Sequence, residues 1–142
     1  MTASIAEQAM ETVAAKFTAN VAGATTFRSR RAALALSEGI VIIVEPDEEP
    51  VTYLSVDKAK RELMLKVTIL ARGNVPDQTA DPVRVLMHST LMSDPTLGGL
   101  TLRIVEEATK WTYEEADLTA VSVESRYKLI YLSPTGSITS LA

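Results

Sequence analysis

Two periodicities divide the chain. Ile5, Ala9, Met10, Val13 and Phe17 recur at helical spacing, with Val21 one step further, while Glu7, Glu11 and Lys16 fall off that stripe. An apolar stripe of period 3.6 predicts an amphipathic helix over residues 4–21. Ser4 and Glu7 have capping-box spacing, in which the serine satisfies an orphan amide and the glutamate reaches back to the cap. Gly23 is the stop. Ala6, Ala14 and Ala15 permit close packing on a sheet or on a neighbouring subunit.

The stretch Gln78–Leu100 repeats the helical pattern through Val83, Leu86, Met87, Thr90 and Leu91. Pro82 is expected in the first turn, after Asp81 or Thr79 as the N-cap. Asp94-Pro95 ends the helix, because a residue before proline is pushed out of the α region. Leu97-Gly98-Gly99-Leu100 then sets two glycines between apolar anchors and hands the chain to a strand.

Elsewhere the period is two. Over Lys60–Arg72, Leu63, Leu65, Val67, Ile69 and Ala71 share one face, and Glu62, Met64, Lys66, Thr68 and Arg72 the other. Over Leu118–Leu132, Val121, Val123, Tyr127, Leu129 and Tyr131 oppose Ser122, Glu124, Arg126 and Lys128. Ile40–Glu45 is apolar on both sides and predicts an interior strand. Thr25–Arg30 and Val51–Val56 are shorter strands, and residues 31–37 read as either a helical turn or a loop. In Leu100–Tyr113 the alternation breaks at Glu106-Glu107, where a bulge restores register. Pro46–Pro50, Asp57–Ala59 and Glu114–Asp117 are turns. Consecutive strands joined by short turns imply a mainly antiparallel sheet, with two α-helices on one face. The expected architecture is an α+β, two-layer sandwich forming a single domain over 4–133. Residues 134–142 are a polar tail, either frayed or docked on a partner.

The 142 residues are 46% hydrophobic and 23% charged, an ordinary globular balance. A net charge of −4 and a pI near 5.0 argue against an electrostatic grip on nucleic acid. No cysteine is present, which excludes disulfides and thiolate chemistry. No apolar run approaches the ~20 residues that span a bilayer, and the first residues lack a signal peptide's basic and apolar regions. The expectation is a soluble chain, cytoplasmic where it is made, with no membrane partner.

Candidate chemistry is sparse. His88, the single histidine, faces away from Leu86 and Leu91 and reads as a solvated residue or a subunit contact. One histidine without cysteine makes zinc a poor fit. Asp47-Glu48-Glu49 and Glu114-Glu115-Asp117 are oxygen-rich, but neither has calcium-loop spacing, so both read as solvated turns. Ser89 and Ser93 near His88 lack a nucleophile elbow. Trp111 and Tyr113 share a strand face and suit core or interface packing. Arg28, Arg30 and Arg31 form the compact basic group, either a solvated edge or a contact with an acidic neighbour such as the Asp47–Glu49 turn of another copy. No catalytic residue, cofactor or metal is expected.

Certain residues and the element order resemble the phage tail terminator family, the minor tail protein U-type proteins of long-tailed phages. The likeness runs through Thr25–Arg31, Ile40-Val-Ile-Ile-Val-Glu-Pro, Leu63–Arg72 and the helix from Asp81-Pro82. It continues through Asp94-Pro-Thr-Leu-Gly-Gly-Leu100, Trp111 and the closing strand ending in Tyr127–Tyr131. The resemblance implies a virion structural protein of sheet plus helices that assembles into a homohexameric ring. Such a ring caps the tail tube, stops its elongation and meets the head-completion or connector protein. It implies no catalysis, and DNA passing through the lumen without specific binding, which the acidic charge suits. The interface residues expected are Arg28, Arg30, Arg31, Asp47, Glu48 and Glu49. A head-closure or connector ring of the same neck region is the nearest alternative. A small metal- or ligand-binding domain using the acidic clusters is one of a different class.

Overall fold

The computed structural model describes residues 2–29, 39–115 and 119–142. Its elements are α1 (Ile5–Asn20), β1 (Ala24–Arg28), β2 (Ile40–Pro46), β3 (Val51–Tyr53), β4 (Lys58–Arg72), α2 (Pro76–Met92), β5 (Arg103–Glu114) and β6 (Ala120–Pro134). The strands form one sheet in the order β1-β2-β4-β6-β5, with β3 pairing β4 beyond the end of β2. Both helices lie on one face, so the fold is the expected α+β sandwich of two layers. Among the described residues, no helix is long and apolar enough to cross a membrane.

The alternating faces of β4 and β6 are as the sequence predicts. Leu63, Leu65, Val67, Ile69 and Ala71 are buried, as are Val121, Val123, Tyr127, Leu129 and Tyr131. They meet the α1 stripe of Ile5, Ala9, Met10, Val13 and Phe17, all five buried, in one core. β2 is paired on both sides and buried on both faces, as an interior strand must be. In β5 the register shifts between Glu106 and Ala108, at the predicted bulge.

One pairing departs from the expectation. β1 and β2 are parallel, Ala24 opposite Ile40 and Arg28 opposite Val44, where consecutive strands were expected to pair antiparallel. The proposed helical turn or loop at 31–37 lies outside the described residues, as do Ala116 and Asp117 of the last turn and Leu118 of the strand expected after it.

The second helix begins earlier than its proline suggests. Pro76, not Pro82, occupies its first turn, and Val75 precedes it without a side-chain cap. Neither Asp81 nor Thr79 is an N-cap. Pro82 lies inside the helix, where it offers no N–H to the Gln78 carbonyl. That phase buries Ala80, Val83, Met87 and Leu91 and leaves Leu86 exposed. The helix ends at Met92 with Ser93 as its C-cap, and β5 starts at Arg103, later than Leu100. Between them Leu97, Gly98 and Gly99 all have positive φ, at 46°, 69° and 104°. Leu97 is buried and Leu100 packs against the core, so both apolar anchors hold.

In α1, Ser4 Oγ accepts from the Glu7 amide at 3.1 Å. The reciprocal half of the capping box is replaced. The Glu7 carboxylate takes both arms of Arg28, Nη1 and Nη2 each at 3.0 Å, pinning the helix to β1.

Candidate functional site

The acidic stretch between Pro46 and Pro50 was expected to be a turn, and it is extended instead. Asp47 N–H bonds Met64 O at 2.9 Å, Met64 N–H bonds Glu48 O at 2.8 Å, and Glu62 N–H bonds Pro50 O at 3.0 Å. β2 and β3 are therefore one bent run along β4, interrupted where the prolines have no donor. The hairpin turns over Leu54–Asp57, with Leu54 N–H on Lys58 O at 2.9 Å and Ser55 Oγ on Asp57 Oδ1 at 2.7 Å. β3 thus ends at Tyr53, short of Val56, and β4 already begins at Lys58.

This geometry holds the acidic residues within their own chain. Glu49 Oε1 lies 3.0 Å from Arg61 Nη1, and Glu49 Oε2 accepts from Tyr131 Oη at 2.7 Å. Arg61 Nε donates to Ser133 Oγ at 2.8 Å. Burial, reinforced by the bond to Glu49, pushes the Tyr131 hydroxyl well above the ordinary tyrosine range. Asp47 pairs with Arg126 at 2.7 Å, and Arg126 also bonds Glu124. Glu48 is exposed, pointing no carboxylate bond at these partners. Arg28 is engaged with Glu7, and Arg30 and Arg31 lie outside the described residues. The structure does not bring Arg28 together with the Asp47–Glu49 stretch of its own chain.

What the hairpin does expose is apolar. Val51, Tyr53, Leu54 and Val56 project into solvent, Val56 with 95% of its surface free. Leu102, Ile138 and Leu141 are exposed at the same end of the sheet, which Lys58 and Pro134 close by pairing. The sequence gives little warning, since VTYLSV is apolar at both parities and reads simply as a strand. The usable signal is its shortness. Three residues of β3 pair with β4, and none of them joins the core.

A second polar group lies between α2 and β5. His88 Nδ1 is 2.7 Å from Tyr127 Oη and 3.3 Å from Glu106 Oε2. Tyr127 Oη also reaches Met87 Sδ at 3.8 Å, and burial pushes its hydroxyl up to about 12. His88 thus links the helix to the sheet within the chain, where a solvated residue or a subunit contact was expected. One turn earlier, Arg84 stacks over Trp111 at 5.1 Å. Trp111 and Tyr113 sit opposite Val123 and Val121 on the helix-bearing face, yet both are exposed and neither belongs to the core.

The helix-free face is charged in alternation. Lys128 lies 3.0 Å from both Glu62 and Glu107, Lys60 lies 3.6 Å from Glu62, and Lys66 lies 3.3 Å from Glu45. The Lys128 bond, with its charge, draws the Glu62 carboxyl below its usual range. Among the described residues, no three His, Asp or Glu side chains converge as a metal site. A cavity of about 260 Å³ sits at the far end of the sheet, lined by Leu70, Arg72, Thr112, Glu114 and Ser122 among others, with no histidine or cluster of acids in it.

Comparison with known protein families gives no match, and neither does a search of curated proteins.

Proposed function

We propose that the chain is a tail terminator: a virion structural protein that forms a ring, caps the tail tube and offers a surface to the head's connector. The observation that carries this reading is the apolar end of the sheet, where Val51, Tyr53, Leu54 and Val56 stand in solvent on a paired hairpin. Contiguous exposed apolar residues rimmed by polar ones mark association surfaces. The α+β architecture is the one the family resemblance implies. Fold likeness alone does not set function, so the site carries the argument. On this reading the chain is not an enzyme, takes no cofactor, and lets DNA pass through the ring.

Negative-stain electron microscopy of the concentrated protein, with and without polymerised tail tubes, tests it. Rings seated on tube ends are the expected result. Dispersed particles that ignore tubes overturn it, and binding to portal or adaptor protein without tube binding selects a connector ring instead.

A further inference from the structure

Residues 135–142 cross the end of the sheet as a strap bonded to their own chain. The bonds tying it down are at its ends and middle. Thr135 N–H reaches Asp57 O at 3.1 Å and Thr135 Oγ1 reaches Val56 O at 2.8 Å. Ile5 N–H donates to Ile138 O at 2.8 Å, and Ala142 N–H donates to Leu132 O at 3.0 Å. Ser137, Thr139 and Ser140 bond chiefly one another. The strap has no charged side chain, so no side-chain ion pair anchors it. Its two large apolar residues are poorly covered, Ile138 being 51% exposed and Leu141 41%.

Each ordered residue of such a segment costs conformational entropy that these few contacts must offset. The strap therefore belongs to the low-stability end of the molecule, opening long before the sheet does. Opening uncovers a shaped cradle. β5 begins at Arg103 opposite Ile130, so the edge of β6 beyond that point is not covered by β5. Ala142 fills that edge at Leu132, and Leu141 lines a cavity of about 60 Å³ with Leu100, Leu102 and Tyr131.

We propose that residues 138–142 are an exchangeable strap, leaving their own cradle and lying in the same place on a second copy of the chain. A copy that opens offers both a free strap and the one cradle whose bonds that strap already satisfies. With Thr135–Ser137 as the hinge, exchange recreates the Ile138 and Ala142 bonds and sacrifices no ion pair, which is the condition under which domain swapping is cheap. Strap and cradle adjoin the exposed hairpin through Val56 and Asp57, so exchange would join the apolar ends of neighbouring copies. The inference goes beyond the ring reading and does not depend on it.

The absence of cysteine makes the test clean. A Leu132→Cys chain and an Ala142→Cys chain are mixed, incubated reduced, and then oxidised. Expected is a disulfide heterodimer at roughly tenfold the yield of Ala142→Cys mixed with Asn74→Cys, an exposed site elsewhere. Equal yields overturn the proposal. Amide exchange on the unaltered protein guards against a folding defect in the variants. The Ile138–Ala142 amides are expected to exchange at least about a hundredfold faster than those of central β6, and equal protection also overturns it. Chains that cap tubes without cross-linking discard the strap and keep the ring. Chains that cross-link but cap nothing do the reverse.

Discussion

Tyr131 and Glu49, far apart in sequence, are joined by a 2.7 Å hydrogen bond, and the other oxygen of the same carboxylate holds Arg61 at 3.0 Å. The arrangement ties the last strand to the acidic stretch before β3 through a largely covered charge pair. Removing one partner leaves the other without compensation. Glu49→Ala is expected to lower unfolding stability by about 2–3 kcal/mol, and Tyr131→Phe by about 1 kcal/mol. Urea unfolding midpoints at unchanged slope measure both. A Glu49→Ala change below about 0.5 kcal/mol would show the pair to be a surface ornament.

The two buried tyrosines set the alkaline limit. Burial favours their neutral form, and Tyr127 ionises near 12 when folded. An unfolded tyrosine ionises near ~10, so between those values the unfolded chain has lost a proton the folded one keeps. Stability is expected to be flat below that window and to fall through it, by about 2 kcal/mol for Tyr127. Tyrosinate absorbance should rise in step with unfolding, and Tyr127→Phe should flatten the fall. An unchanged slope in that variant rejects the assignment.

On the acid side, Asp94 matters. Its bond to Lys16 Nζ at 3.0 Å draws its carboxyl down, with smaller help from the Gly98 amide. A depressed carboxyl contributes stability that is complete above its unfolded value, ~3.9, and disappears as pH falls through the folded one. Both side chains remain partly solvated, so the contribution is expected at about 0.5 kcal/mol. Thermal melts of Asp94→Asn against the parent chain should differ near neutrality and converge in acid. A difference that grows toward low pH contradicts the sign.

The turn after α2 is expected to tolerate little. Gly99 has φ of 104°, a region where a Cβ is strained even with open space around it. Gly99→Ala should cost about 1–2 kcal/mol, seen as a lowered melting temperature. Val56→Asp, at a side chain touching almost nothing, should leave that temperature within about a degree. If Val56→Asp also left tube capping intact, the hairpin would lose its assembly role.

Much of the fold was legible because burial there is decided by period alone. The α1 stripe and the faces of β4 and β6 need no knowledge of partners, since one side of each must be covered. Legibility failed where two signals competed. Pro82 looks like a helix start because the sequence hides that Pro76 is a better one, and the shifted phase exposed Leu86. Glu7 has the spacing to cap α1, but Arg28 offers a stronger, bidentate partner from another strand. The parallel β1–β2 pair and the His88–Tyr127–Glu106 bridge are set by tertiary neighbours, which no local pattern records. Of the expected interface residues, Asp47, Glu49 and Arg28 are engaged within the chain, whereas the exposed hairpin went unrecognised.

β4 has a consequence for how the chain is made. Its full length pairs with β6, from Lys58 opposite Pro134 to Arg72 opposite Ala120. During synthesis, α1 and the first four strands leave the ribosome before the strand that covers β4's other edge exists. Until then the nascent chain carries an open, apolar β4 edge of the kind that chaperones bind and that seeds misassembly. The pairing also joins residues distant in sequence, which slows folding even after release. A polypeptide stalled before Ala120 would remain a client of the quality-control machinery, however well its first helix had formed.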